Sequence, residues 1–268
     1  MSVDVVIPES ESEAVEAYGD GSDITVIAGG TIVMQLLNYQ RFKPSKVLLL
    51  AHAGMSYINM PVKEQGQNDG STVTVGATTP LAELTVLASP LGACAANVAD
   101  DEIRGQATLG GNLCSPAPPE HPSGDLQGAL IALDAMVRST GADGEKSEQI
   151  EDFLPHRSDR LALDVSFEPP ASGAFAAFRR PHAHHYTPLA VSGATSADGT
   201  VRLGVTGAGD FGIRLNAAEA AADDPEAAGE ASLTDVTMAD DAIISGWYRE
   251  QLLPTLVKRV LNEMKDGS

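Results

Sequence analysis

Ile24-Thr25-Val26-Ile27-Ala28-Gly29-Gly30-Thr31 decides how the rest of the chain is read. A compact β-branched run ends in two glycines, and Thr31 follows where a helix cap would stand, so the order is strand, side-chain-free turn, helix through Leu37. Such a turn has two uses. Free backbone N–H groups at the positive end of a helix hold an anion such as a pyrophosphate. Equally, a glycine pair closes an ordinary tight bend. The stretch is not a G-x-G-x-x-G fingerprint, and no acidic residue follows at the distance a ribose requires, so a Rossmann nucleotide site is not supported.

Working outward, Ser10-Glu11-Ser12-Glu13 reads as a capping box that opens a helix over 11–18, with Gly19 as its left-handed stop. On the other side Val47-Leu48-Leu49-Leu50 is a short apolar strand, which makes the first part a small β/α unit with parallel pairing. A second part begins near Met55. Residues 72–77 alternate at period two, Thr79-Pro80 opens a helical stretch over 81–99, and a glycine-rich stretch covers 105–112. Leu126, Leu130, Leu133 and Val137 have helical spacing and predict one buried helix over 125–137. Residues 139–149 read as a solvated turn, and 161–167 as a strand ended by Pro169-Pro170. Strands at 188–194 and 201–207 flank the Asp198-Gly199 hairpin signal, and an acidic, alanine-rich helix-and-loop region spans 216–242. A last helix carries Tyr248, Leu252, Leu256, Val260 and Met264 on one stripe, with Pro254 in a first turn or at a kink and Trp247 as a packing residue. The fold class is α+β: 1–54 and 55–170 as two parts of one unit, and 171–268 as a C-terminal α+β domain with a small antiparallel sheet.

Composition narrows the function. Asp and Glu outnumber Lys and Arg 37 to 17, a net charge of −20, which repels nucleic acid and anionic lipid. Acid excess with few lysines suits a high-salt cytoplasm. No apolar stretch reaches the roughly 20 residues that span a bilayer, and no basic region leads an apolar segment at the amino terminus, so a cytoplasmic location is expected. Cys94 and Cys114 are too few for a disulfide framework or for an iron–sulfur cluster held by this chain alone, and both read as small buried apolar residues. His182, His184 and His185 lack an acidic or cysteine partner in sequence and read as solvated or hydrogen-bonded, so no metal is expected.

Thr108-Leu109-Gly110-Gly111-Asn112 supplies a second glycine pair, flanked by a hydroxyl and an amide. In so acidic a chain, oriented N–H groups accommodate a dinucleotide's phosphates more easily than scarce cations do. Two such loops make that reading informative.

These motifs resemble the FAD-binding subunits and domains of molybdopterin dehydrogenases, the carbon monoxide dehydrogenase medium subunits and xanthine dehydrogenases among them. The resemblance runs through most of the chain: Ala28-Gly29-Gly30-Thr31, Pro44, Val75-Gly76-Ala77-Thr78-Thr79, Ile103 to Leu113, Gly124-Asp125, Ala129 to Ala135, and Tyr248-Arg249. It implies FAD held between the first two parts, with Ala28, Gly29, Gly30, Thr31 and Ile32 lining the pyrophosphate. It also implies that Thr108, Gly110, Gly111 and Asn112 contact phosphate and flavin, and that Asp125 bonds sugar or ribityl hydroxyls. Asp125 has a plainer reading as a helix N-cap. The chain departs from the family in a long Pro116 to Ser123 loop and at 178–186. There Arg179 or Arg180 stands for a lysine, and Tyr186 for an aromatic residue over the flavin ring. The implied activity is that of an electron-transferring flavoprotein, an oxidoreductase subunit with no catalytic acid, base or nucleophile of its own. A molybdenum-cofactor subunit and a 2Fe-2S subunit would be its partners, and the 2Fe-2S clusters would feed FAD, which reduces an external acceptor. A self-sufficient FAD-dependent oxidase is the alternative.

Overall fold

The computed structural model describes residues 3–60, 72–115, 124–179 and 187–266. Its first sheet is parallel, in the order β1-β3-β2, from β1 (Asp4–Val6), β2 (Ile24–Ile27) and β3 (Lys46–Leu49). Parallel neighbours need crossovers, which α1 (Glu11–Tyr18) and α2 (Val33–Asn38) supply. Ser10 caps α1 by accepting the Glu13 N–H at 3.2 Å, and Gly19 ends it at φ +59°. The start of α2 differs from expectation: Ile32 is its cap, and no side chain, Thr31 included, closes it.

The second sheet is antiparallel, in the order β4-β5-β8-β6-β7, from β4 (Ile58–Asn59), β5 (Val73–Gly76), β6 (Met136–Gly141), β7 (Gly144–Gln149) and β8 (Arg160–Phe167). Around it lie α3 (Leu81–Leu84), α4 (Leu91–Asn97), α5 (Asp101–Gln106), α6 (Leu109–Leu113), α7 (Gln127–Ala132) and α8 (Ile150–Phe153). Three expectations are corrected here. The helical stretch over 81–99 is split before Pro90, which has no N–H to continue a ladder. The helix over 125–137 ends at Ala132; Asp134 takes φ +52°, and Val137 belongs to β6, where it is equally buried. Residues 139–149 are a hairpin rather than a loose turn, paired from Met136↔Gln149 to Gly141↔Gly144. Its outer strand is Gly-Glu-Lys-Ser-Glu-Gln, polar because it is a wet sheet edge.

The third sheet runs β12-β11-β10-β9, from β9 (Ser172–Phe178), β10 (Leu189–Thr195), β11 (Val201–Thr206) and β12 (Ile213–Arg214). The turn at Asp198-Gly199 is where expected, with Gly199 at φ +87°. β9 lies where the sequence suggested no strand, because its small residues carry little β signal. Beyond it come α9 (Asn216–Ala220), α10 (Pro225–Ala231) and α11 (Gly246–Asp266). The inner face of α11, Leu253, Leu256, Val257, Val260 and Met264, packs on a separate core with Leu189, Val191, Leu203 and Val205. Pro254 sits in the interior of α11, past its first turn, and Trp247 is 67% exposed, so it is not a packing residue.

The first two sheets share one core, in which Ala14, Tyr18 and Leu48 meet Val75, Leu109 and Leu163. Arg138 locks them together from the side. Its guanidinium holds both Glu11 oxygens at 2.7 and 2.8 Å and reaches Asp164 at 2.6 Å, while the Tyr57 hydroxyl donates to Asp164 at 3.1 Å. Among the described residues no helix is long and apolar enough to cross a membrane.

Arg249, buried at the start of α11, donates to the carbonyls of Pro188, Ala239 and Ile244 and pairs with Asp241. Arg249→Met strands a largely buried carboxylate and three carbonyls. Urea unfolding should show a loss of about 3–5 kcal/mol; an unchanged midpoint would refute this account of how α11 is held.

Candidate functional site

A cavity of about 260 Å³ lies between the first and second sheets, where the β2–α2 turn faces the start of α6. The sequence makes this turn bare for a reason that only the fold reveals. A Cβ built on Gly29 would lie 1.9 Å from the carbonyl oxygen of Gln106, so backbone rests on backbone there and any side chain would force the two segments apart. Gly30 follows at φ +70°, which turns the chain into α2. The N–H groups of Thr31, Ile32 and Val33 have no acceptor among the described residues, as the first amides of an uncapped helix should.

The second glycine pair behaves differently. It is the body of α6, with Thr108 as N-cap accepting the Gly111 N–H at 3.1 Å. The Leu109 N–H donates to Thr79 at 2.9 Å, and the Gly110 N–H to Ala77 at 2.8 Å. These amides are already used. Thr108, Gly110 and Gly111 therefore form a flat wall, tied to the segment after β5, rather than a row of free donors.

The structure thus brings Ala28, Gly29, Gly30, Thr31 and Ile32 into one cavity with Thr108, Gly110 and Gly111. Asn112 and Asp125 do not line it; they stand behind α6 as a pair. The Asn112 side chain accepts the Leu126 N–H at 2.9 Å and donates to the Asp125 carboxylate at 3.3 Å. The N-cap reading of Asp125 fails, because α7 is capped by Leu126 with no side-chain bond. Tyr186, Arg180, the three histidines and the Pro116 to Ser123 loop lie outside the described residues. Arg179 bonds Asn97 and does not line the cavity. Cys94 is buried as expected, whereas Cys114 is only half-buried, in the cavity wall, where burial pushes its thiol up to about 12.

Residues with no sequence signal complete the site. Arg157 lines it from the turn before β8, and Arg160 from the first position of β8. Arg160 pairs with Asp143, but Arg157 donates only to the carbonyls of Ser115, Leu154 and Asp210, at 3.1, 2.8 and 3.0 Å. Among the described residues no carboxylate pairs with Arg157. A cation held by neutral oxygens beside three free amides suits a phosphate-bearing ligand. A second cleft of about 310 Å³ lies between β8 and the third sheet; none of the expected residues lines it, and Arg202 and Asp134 pair at its wall at 2.8 Å.

Two predictions arise. Gly29→Ala should abolish dinucleotide binding and lower the melting temperature, whereas Gly105→Ala, whose Cβ meets nothing, should leave both unchanged; equal behaviour of the two variants in a binding titration would refute the contact's role. Crowding by protein atoms pushes the Asp125 carboxyl up to about 6. An acid whose folded value is raised binds its proton more tightly folded than unfolded, so its contribution to stability falls as pH rises from about 4 to about 6. Asp125→Asn should therefore raise the melting temperature of the apo chain at pH 7.5 and lose that advantage by pH 4; thermal melts that stay parallel across the range would contradict it.

Comparison with known proteins shows the family and the fold. Residues 1–165 match the family model for the FAD binding domain in molybdopterin dehydrogenase. The 6-hydroxypseudooxynicotine dehydrogenase complex subunit alpha of Paenarthrobacter nicotinovorans is 27% identical, over 97% of this chain and 93% of that protein. The nicotine 6-hydroxylase medium subunit of the same organism is 25% identical, over 96% and 95%. Among solved structures, a chain of reconstituted CO dehydrogenase from Oligotropha carboxidovorans superposes with a TM-score of 0.84 at 20% identity, covering all of this chain and 99% of the other.

Proposed function

The chain belongs to the family of FAD binding domains in molybdopterin dehydrogenases, and on that premise we propose that it is the electron-transferring subunit of a cytoplasmic molybdenum hydroxylase, beside a molybdenum-cofactor subunit and a 2Fe-2S subunit. Its cofactor is FAD, and it is part of an oxidoreductase. When bound, FAD supplies two-electron storage that is filled singly from the 2Fe-2S clusters and emptied to an external acceptor.

The observation that carries the reading is that the Thr31, Ile32 and Val33 amides, without an acceptor among the described residues, share a cavity with Arg157, which meets no carboxylate among them. The amides and Arg157 would bind the diphosphate, and Gly29 keeps the approach open. Thr108, Gly110 and Gly111 would shape the wall, with the Asn112–Asp125 pair supporting α6 from behind. Residues 1–54 and 55–170 would hold the cofactor between them, and 171–268 would cover its far end. A self-sufficient oxidase needs a substrate-covering domain, and the described residues of 171–268 are taken up by the third sheet, α9, α10 and α11 around their own core.

The purified chain should be yellow, or become so with added FAD, and should alone oxidise no small substrate. It should also co-purify with iron–sulfur and molybdenum subunits when these are co-expressed. A chain that ignores FAD, or that turns over a substrate unaided, would sink the proposal.

A further inference from the structure

The cavity is a gap between two sheets, and what fixes its width lies outside it. Tyr18 and the β2–α2 turn come from the first sheet's side, Thr108 and residues 160–162 from the second's. The apolar core beneath joins both sides, but apolar burial is non-directional and sets no spacing by itself. α1 and β8 lie antiparallel across the gap. Tyr18, the last residue of α1, shares the cavity with Arg160 at the start of β8. Glu11, the first residue of α1, is bound to the Arg138 guanidinium, which also holds Asp164 further along β8. Three of the four groups gathered there belong to the second sheet: Arg138 and Asp164 are cross-strand partners in β6 and β8, and Glu145 of β7 meets Arg138 at 3.2 Å. Glu11 is the fourth, its two oxygens accepting from Arg138 at 2.7 and 2.8 Å as a fork. Among the described residues no other group of α1 hydrogen-bonds the second sheet.

We propose that Glu11 and Arg138 form a clasp that governs cofactor retention: by fixing α1 against β8 from outside the cavity, the pair sets how readily the gap opens and so how fast FAD leaves. Both are positioning residues, since neither lines the cavity. The inference rests on the FAD reading above and concerns the rate of release, not the contacts made. Asp164 already orders the guanidinium, so Glu11 meets a fork that loses little freedom on pairing. Arg138 and Glu11 are 27% and 32% exposed, so water reaches the pair and it can part and re-form without unfolding either sheet.

The full chain is loaded with FAD and diluted, and release is followed by flavin fluorescence at a temperature where every variant is folded. Glu11→Gln keeps the size but removes the charge, and should release FAD roughly three- to tenfold faster. Glu16→Gln takes the same charge from an exposed site on the same helix, with no hydrogen bond or ion pair among the described residues, and should leave the rate unchanged. Arg249→Met weakens the separate C-terminal core and should also leave it unchanged, because lost stability alone opens no gap. In an Arg138→Met background Glu11→Gln should add nothing further. A wild-type rate in Glu11→Gln overturns the inference, as does equal acceleration by Glu16→Gln or Arg249→Met, or an undiminished effect of Glu11→Gln beside Arg138→Met. Should Arg138→Met or Arg249→Met fail to fold, Glu11→Gln against Glu16→Gln decides alone. A wild type that binds no FAD overturns the FAD reading and this inference with it, whereas one that holds FAD no longer than Glu11→Gln does overturns this inference only.

Discussion

Gly29 lying directly on the carbonyl of Gln106 is the contact on which the site depends, because it brings the β2–α2 turn of one sheet against the helices of another with no side chain between. Closely opposed backbones leave amide groups near the surface they share, and that surface is where the cavity opens. The approach is held by forces outside the turn. A single apolar core runs under both sheets, and the Arg138 guanidinium ties α1 to β8 through Glu11 and Asp164. Partly buried, bidentate and networked, that cluster has the geometry in which ion pairs matter, unlike an isolated surface pair.

A chain of net charge −20 still builds a place for an anion, and it does so almost without exposed cations. Three amides without an acceptor among the described residues supply the dipoles. Arg157 supplies the full charge, and among the described residues its hydrogen bonds go to main-chain carbonyls and not to a carboxylate. Arg160, three residues along the chain, shows the opposite solution, being paired with Asp143. Overall charge sets the protein's long-range field, while the local arrangement of donors sets what it binds.

The third sheet has its own core but is not independent of the site. α7 packs on β10 and β11 so tightly that a Cβ on Gly204 would lie 2.2 Å from the Gly128 carbonyl, and the Gly128 N–H donates to Thr206 Oγ1 at 3.0 Å. Asp125 stands just before α7. Its carboxylate meets Asn112 of α6, and its carbonyl accepts from Cys94 and Thr206, so one residue joins the wall of the cavity to the C-terminal sheet.

What could be read locally was read from the residues: the α1 capping box, the strand–glycine–helix order at 24–37, the Asp198-Gly199 hairpin and the glycine pairs, each set by backbone preferences within a few residues. The family, and with it FAD, was legible because those motifs recur in a fixed order. Strand β9 and the hairpin over 136–149 were missed, since small or polar residues pair as strands only when a neighbouring strand is offered. Only the tertiary structure decided that the second glycine pair spends its amides internally, that Arg157 meets no carboxylate among the described residues and that Asp125 is not a cap. The physical reason is common to all three. Whether a donor is satisfied depends on which distant acceptor the fold sets opposite it, and the residue's own neighbours along the chain carry no record of that.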